Sequence, residues 1–213
     1  MRTFARVLQP SESTNILDVG GALGTWADFP RKSPVTLLNV GPVDFVQTPR
    51  FPPIQTIVGD GCKLGYPDAS FEIIFSNSVI EHVGTFERQK AFASEARRVG
   101  GKLWIQTPAK EFFIEPHLLT PFIHFLSASF QRRLIRHFTT WGIVTKPTSA
   151  QIESFLKEVR LISFREMQQL FPDCEIYRER AFGFTKSYIA IRHCINTRSI
   201  KQATTDAACD LPR

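Results

Sequence analysis

No stretch of the 213 residues approaches the ~18 consecutive apolar residues that a membrane-spanning helix needs. The N-terminus, Met1-Arg-Thr-Phe-Ala-Arg, lacks the continuous apolar run of a signal peptide. Cysteine is scarce: Cys62, Cys174, Cys194 and Cys209 include no CxxC pair and no zinc-like spacing. Neither a disulfide framework nor a metal site is expected, and the thiols read as free in a reducing compartment. These absences point to a cytoplasmic protein whose contact with a membrane is at most peripheral and weak.

What is present suffices for a core. Hydrophobic residues make up 43% of the chain and charged residues 22%, a balance that excludes disorder of the whole. The length suits one domain. The formal charge of +6 is uneven: residues 1–107 carry 11 Lys and Arg against 10 Asp and Glu, residues 108–213 carry 15 against 10. The second half also holds 11 of the 19 phenylalanines, a combination suited to an anionic or amphipathic partner. There is no dense basic stripe and no Asn/Asp-Pro-Pro-Tyr-type motif, so a nucleic-acid partner is not expected.

Short apolar runs alternate with glycine-rich or helical connections through residue 107, the pattern of parallel strands joined by crossovers. Strands are expected at Asn15–Val19, Val35–Val40, Gln55–Val58, Phe71–Ser76 and Lys102–Gln106, and later at Cys174–Arg178 and Thr185–Arg192. A helix is expected from Thr85 to Val99, with Glu87 in its first turn and Arg97 and Arg98 in its last. The apolar spacing from Leu118 to Phe138 predicts a further helix, with Arg132, Arg133 and Arg136 clustered near its end. Thr148 with Gln151, and Ser163 with Glu166, read as capping boxes of two more helices.

The strongest functional signal is Leu17-Asp18-Val19-Gly20-Gly21-Ala22-Leu23-Gly24, placed directly after the first strand. Glycines there let the backbone turn sharply and approach a ligand, and Asp18 can accept hydrogen bonds. Val58-Gly59-Asp60-Gly61 and Phe75-Ser76-Asn77-Ser78 place small or polar residues at later strand ends, so the set lines one crevice.

ILDVGGALG, IVGDG, YPDASFEIIFSNSVIEHV and ARRVGGKLWIQTP, in that order, resemble the class I S-adenosylmethionine-dependent methyltransferases of the methyltransferase type 11 group. The resemblance implies a Rossmann-like, doubly wound, mostly parallel seven-stranded sheet with an antiparallel last strand. It implies one domain over residues 1–195; residues 108–162, too long for a bare connection, are expected to form a helical insertion that caps the acceptor side, and the polar stretch 196–213 a loose tail. It also implies S-adenosylmethionine as cofactor, with Asp18, Gly20, Gly21, Ala22 and Gly24 around its methionine part. Asn39 would meet the ribose, Asp60 and Gly61 the adenine, and Ser76 and Asn77 the methionine end. Ala22 stands where the family has its middle glycine, and Asn39 where it has an acid.

A base is needed only if the acceptor must lose a proton, and the candidates are His117, beside Glu115, and His82, after Glu81. The acceptor expected is a small molecule, a saccharide or a lipid-linked compound. Two other readings stay open: an inactive methyltransferase-like binding module, and a dinucleotide-binding oxidoreductase, which glycines at 20, 21 and 24 disfavour.

Overall fold

The computed structural model describes residues 1–27, 29, 33–44, 48 and 51–193. Cys194, Cys209 and the expected tail lie outside the described residues. The chain runs α1 (Arg2–Leu8), β1 (Ile16–Val19), α2 (Leu23–Trp26), β2 (Val35–Asn39), β3 (Ile54–Val58), β4 (Phe71–Asn77), α3 (Phe86–Val99) and β5 (Gly100–Pro108). It continues through a hairpin of β6 (Ile114–Glu115) and β7 (Thr120–Pro121), then α4 (Ala128–Phe138), α5 (Thr140–Thr145), α6 (Ser149–Glu158), α7 (Phe164–Leu170), β8 (Glu175–Ala181) and β9 (Phe184–Arg192).

Seven strands form one sheet in the order β3-β2-β1-β4-β5-β9-β8. The first five are mutually parallel, while β9 runs antiparallel to both β5 and β8. Successive residues of a strand face opposite sides, and the core divides accordingly. Ile16, Ile73 and Ile189 join Phe4, Trp26, Phe75 and Trp104 on one face. Leu17, Ile74 and Ala190 join Phe92, Leu103 and Met167 on the other. Strands apolar on both sides are what a sheet covered on both faces requires. The strand order reverses between β1 and β4, so the carboxyl ends of β1 to β4 open onto one crevice.

The helix α3 starts where Thr85 accepts a hydrogen bond from the Arg88 N–H, and both expected capping boxes form, at Thr148 and Ser163. The expectation at residues 118–138 is corrected: only Ala128–Phe138 is α-helical. Pro121 has no N–H to give a helix and holds Thr120 extended, so this pair forms β7 against β6. Leu119 and Phe122 flank it with left-handed backbones, at φ 48° and 60°.

The apolar stripe expected on that helix is divided as well. Ile123 and Ile135 are buried with Leu118 and Ile152 in a small separate core, whereas Leu119, Phe122, Phe125, Leu126 and Phe130 are exposed. Of the three arginines, Arg132 pairs with Glu153 and Arg136 donates to the Pro147 carbonyl. No helix among the described residues is long and apolar enough to cross a membrane.

Candidate active site

The crevice begins at the tip of β1. Asp18 is fully enclosed, and its Oδ2 accepts from Trp26 Nε1 at 2.6 Å. Its Oδ1 has no hydrogen-bond partner among the described residues. Burial pushes the carboxyl up to about 7, against a smaller opposing effect of the indole bond. The glycine loop closes over this group. A Cβ at Gly21 would stand 2.0 Å from Asp18 Oδ2, and Gly20, at φ 75°, would bring one within 2.5 Å of Val79. These two glycines are therefore required by close approach and backbone conformation. Ala22 is extended, at φ −100°, and exposed, so its methyl is accommodated; a Cβ at Gly24 would meet nothing within 4 Å.

At the tip of β2, Asn39 donates its amide to the Gly21 carbonyl at 3.1 Å, which leaves Oδ1 to accept from a ligand. That geometry disfavours an acid at position 39. In an Asn39→Asp variant a carboxylate oxygen would face the Gly21 carbonyl in place of a donor. Calorimetric affinity for S-adenosylhomocysteine is expected to fall several-fold, since one hydrogen bond worth about 1 kcal/mol is lost and replaced by repulsion. A tightening would show that the loop yields instead.

Beyond β3, Asp60 Oδ1 accepts from the Cys62 N–H at 2.9 Å, and Oδ2 meets Arg88 at 3.0 Å. The Cys62 bond, then Arg88, hold this carboxyl below its ordinary range despite some burial. A cavity of about 500 Å³ opens over these strand tips, lined by Gly20, Asn39, Asp60, Gly61, Val79, His82 and their neighbours. Ser76 lies beneath it, fully buried, its hydroxyl donating to the Val19 carbonyl at 2.9 Å. Asn77 is exposed and lines the adjoining cavity.

His82 and His117 do meet. Their Nε2 atoms are 3.0 Å apart, and the rings stand edge to face with centroids 4.6 Å apart. Glu115, 2% exposed, contacts His117 Nδ1 at 2.7 Å. Glu81 is fully buried and accepts from Thr107 Oγ1 at 2.8 Å, and burial raises it to about 6. Burial lowers His117, but the bond and charge of Glu115, with the charge of Glu81, outweigh it and leave this histidine raised. His82 is lowered by burial and by the neighbouring His117. The sequence offered no signal for Arg88, 28 positions from Asp60, nor for Thr107, 26 positions from Glu81.

The strand order, with an enclosed acid under a glycine loop and a crevice at the switch point, is that of the Rossmann-like methyltransferase fold. A family profile described as a methyltransferase domain matches residues 37–105.

Among solved structures, a methyltransferase of Methanosarcina mazei described as S-adenosylmethionine-dependent aligns over 90% of this chain and 96% of its own, with TM-score 0.50 and 12% identity. A Pyrococcus horikoshii protein aligns over 89% and 85%, with TM-score 0.50 and 14% identity. A Rhodobacter sphaeroides protein described as a candidate zinc-dependent alcohol dehydrogenase aligns over 89% and 88%, with TM-score 0.51 and 9% identity. Likenesses this remote show the fold alone. No curated protein matches the sequence. The residues present fit S-adenosylmethionine: Asp18 keeps an unpartnered oxygen, Asn39 keeps a free acceptor, and Ala22 adopts a backbone that its methyl permits.

Proposed function

We propose that the protein methylates an amphipathic acceptor, a lipid-linked saccharide or an isoprenoid-type small molecule, held beside the cofactor. The observation that carries this reading is a second cavity of about 470 Å³ that shares Ser78 with the first. Phe112, Ile114, Pro116 and Leu119 give it apolar walls, while Asn77, Gln106 and Lys186 supply polar groups and one positive charge. Such a lining takes an apolar body carrying an anionic or hydroxylated end.

The cofactor supplies a methyl group already activated on sulfonium sulfur, for in-line displacement. The chain's task is alignment, which provides most of the rate. Asp18 with Gly20, Gly21, Ala22 and Gly24 holds the methionine end, Asn39 the ribose, and Asp60 with Gly61 the adenine. Ser76 supports the β1 tip from below, and Asn77 borders the acceptor. A hydroxyl acceptor passes its proton to His117, which Glu115 orients, with His82 between His117 and the cofactor cavity.

Residues 108–162 form the acceptor-side cap. The exposed run Leu119, Phe122, Phe125, Leu126 and Phe130 leads from the acceptor cavity to the surface, where it would rest on the membrane that carries the acceptor. Calorimetry with S-adenosylhomocysteine tests the donor half, and no binding would overturn it. For the acceptor half, the parent is expected to sediment with phospholipid vesicles, and a Phe122→Ser/Phe125→Ser/Phe130→Ser variant to lose most of that binding. Equal sedimentation of both, or of neither, would favour a freely soluble acceptor.

A further inference from the structure

We infer that Glu81, His82 and His117 form a binding site for one divalent transition-metal ion of the zinc or iron(II) type. One potential ligand atom from each residue lies within 4.8 Å of the others. The two imidazole Nε2 atoms face each other at 3.0 Å. Nitrogens that both bind one ion at about 2.0–2.1 Å stand roughly 3 Å apart when the angle at the metal is near a right angle, so little adjustment is needed.

A second, independent observation concerns Glu81. Its side chain is wholly inaccessible, and Oε1 has no hydrogen-bond partner among the described residues, although Oε2 is satisfied by Thr107. A buried carboxylate oxygen without a donor is costly and wants a cation. The surrounding bonds also suit a metal. Glu115 takes the Nδ1 proton of His117 and so presents the Nε2 lone pair, and Thr107 fixes Glu81 in the same way.

Two histidines and one carboxylate are the donor set of zinc hydrolases and of non-haem iron(II) sites, which leave coordination positions open. His82 also lines the cofactor cavity, so the open positions border the place where an acceptor is methylated. On the reading proposed above, an ion held there would take over from His117, whose Nε2 it occupies: an acceptor oxygen bound to it would release its proton to solvent more readily than when free. Nothing in the cysteine pattern hinted at this, because the donors are nitrogen and oxygen, and His117 lies 35 positions from His82.

Without a metal, the two histidines share one hydrogen-bonding proton between their Nε2 atoms. Metal binding moves that proton to His82 Nδ1 when the pair is neutral and releases it to the buffer when the pair carries a positive charge, so calorimetric heats should depend on the buffer's ionisation enthalpy only in the second case.

The test is titration of chelator-treated full-length protein with Co²⁺, read by visible absorption, together with the metal content after dialysis against Zn²⁺. One equivalent is expected to bind to the parent. The loss in affinity should reach at least tenfold in His82→Ala, whose exposed side chain can be removed without opening the core, and likewise in Glu81→Gln. Glu115→Gln should lose about 10- to 100-fold through misorientation of His117. S-adenosylhomocysteine affinity and circular dichroism, measured on the same samples, separate this outcome from a failed fold or a failed donor site. Absence of Co²⁺ and Zn²⁺ binding to the parent, or equal binding to His82→Ala, would leave the pair as a plain hydrogen-bonded relay and overturn the inference.

Discussion

Replacing His117 by alanine is expected to lower turnover by ~10²–10⁴ while S-adenosylhomocysteine binds as before, the signature of losing a proton acceptor rather than a binding group. As the proposed base, this histidine would work only when unprotonated. Because Glu115 and Glu81 raise it above its ordinary 6.5 despite its burial, the rising limb of the parent's pH profile should lie above that value. Replacing Glu115 by glutamine should draw the limb back toward lower pH. Single-turnover methyl transfer to an accepted substrate, across pH 5.5–9, measures both. An unchanged rate in His117→Ala would assign the ring to holding β6 and the segment after it.

The largest pH effect on stability is expected from Asp18. Its carboxyl titrates near 3.8 when unfolded and about 7 when folded. Below pH ~4 both states are protonated and the full stability is present. Between ~4 and ~7 the native state alone holds the proton, so stability falls by about 1.4 kcal/mol per pH unit, up to ~4 kcal/mol in all. Above 7 this contribution is flat. Glu81, raised from 4.5 to about 6, acts with the same sign over a narrower span. Urea unfolding of the parent and Asp18→Asn at pH 5, 6, 7 and 8 checks this: the parent's advantage should shrink by ~2–3 kcal/mol between pH 5 and 7. Parallel curves would mean that the carboxylate stays charged beneath the loop.

The strands were legible because burial on both faces leaves almost uninterrupted apolar runs, as in Phe71–Asn77 and Val35–Asn39. Thr85, Thr148 and Ser163 announced three helix starts because the cap lies within three residues of the group it satisfies. Residues 118–127 misled for a related reason. Their apolar spacing is helical, but Pro121 breaks the ladder and a hairpin partner seven residues away takes over. In the crevice, the glycine loop, Asn39 and Asp60 could be found because each ends a strand. What the sequence concealed was pairing across distance: Trp26 takes up half of Asp18, Arg88 takes up Asp60, and Thr107 takes up half of the buried Glu81.

Residues 108–162 leave and rejoin the sheet domain at almost one point. Ala109 pairs in parallel with Ile162, and the Lys110 N–H donates to the Ile162 carbonyl at 3.0 Å. The segment thus enters and leaves through one short seam, and bonds from Glu111 to Tyr188 and from Arg160 to Gln89 and Glu81 fasten it further. The histidine cluster straddles that seam: Glu81 and His82 come from the domain that holds the donor, Glu115 and His117 from the inserted segment. Neither part carries the cluster alone. On the proposed function, docking of the segment would therefore complete the site, and an exchange of residues 110–161 for a segment from another enzyme is expected to leave donor binding in place while removing the proposed proton acceptor.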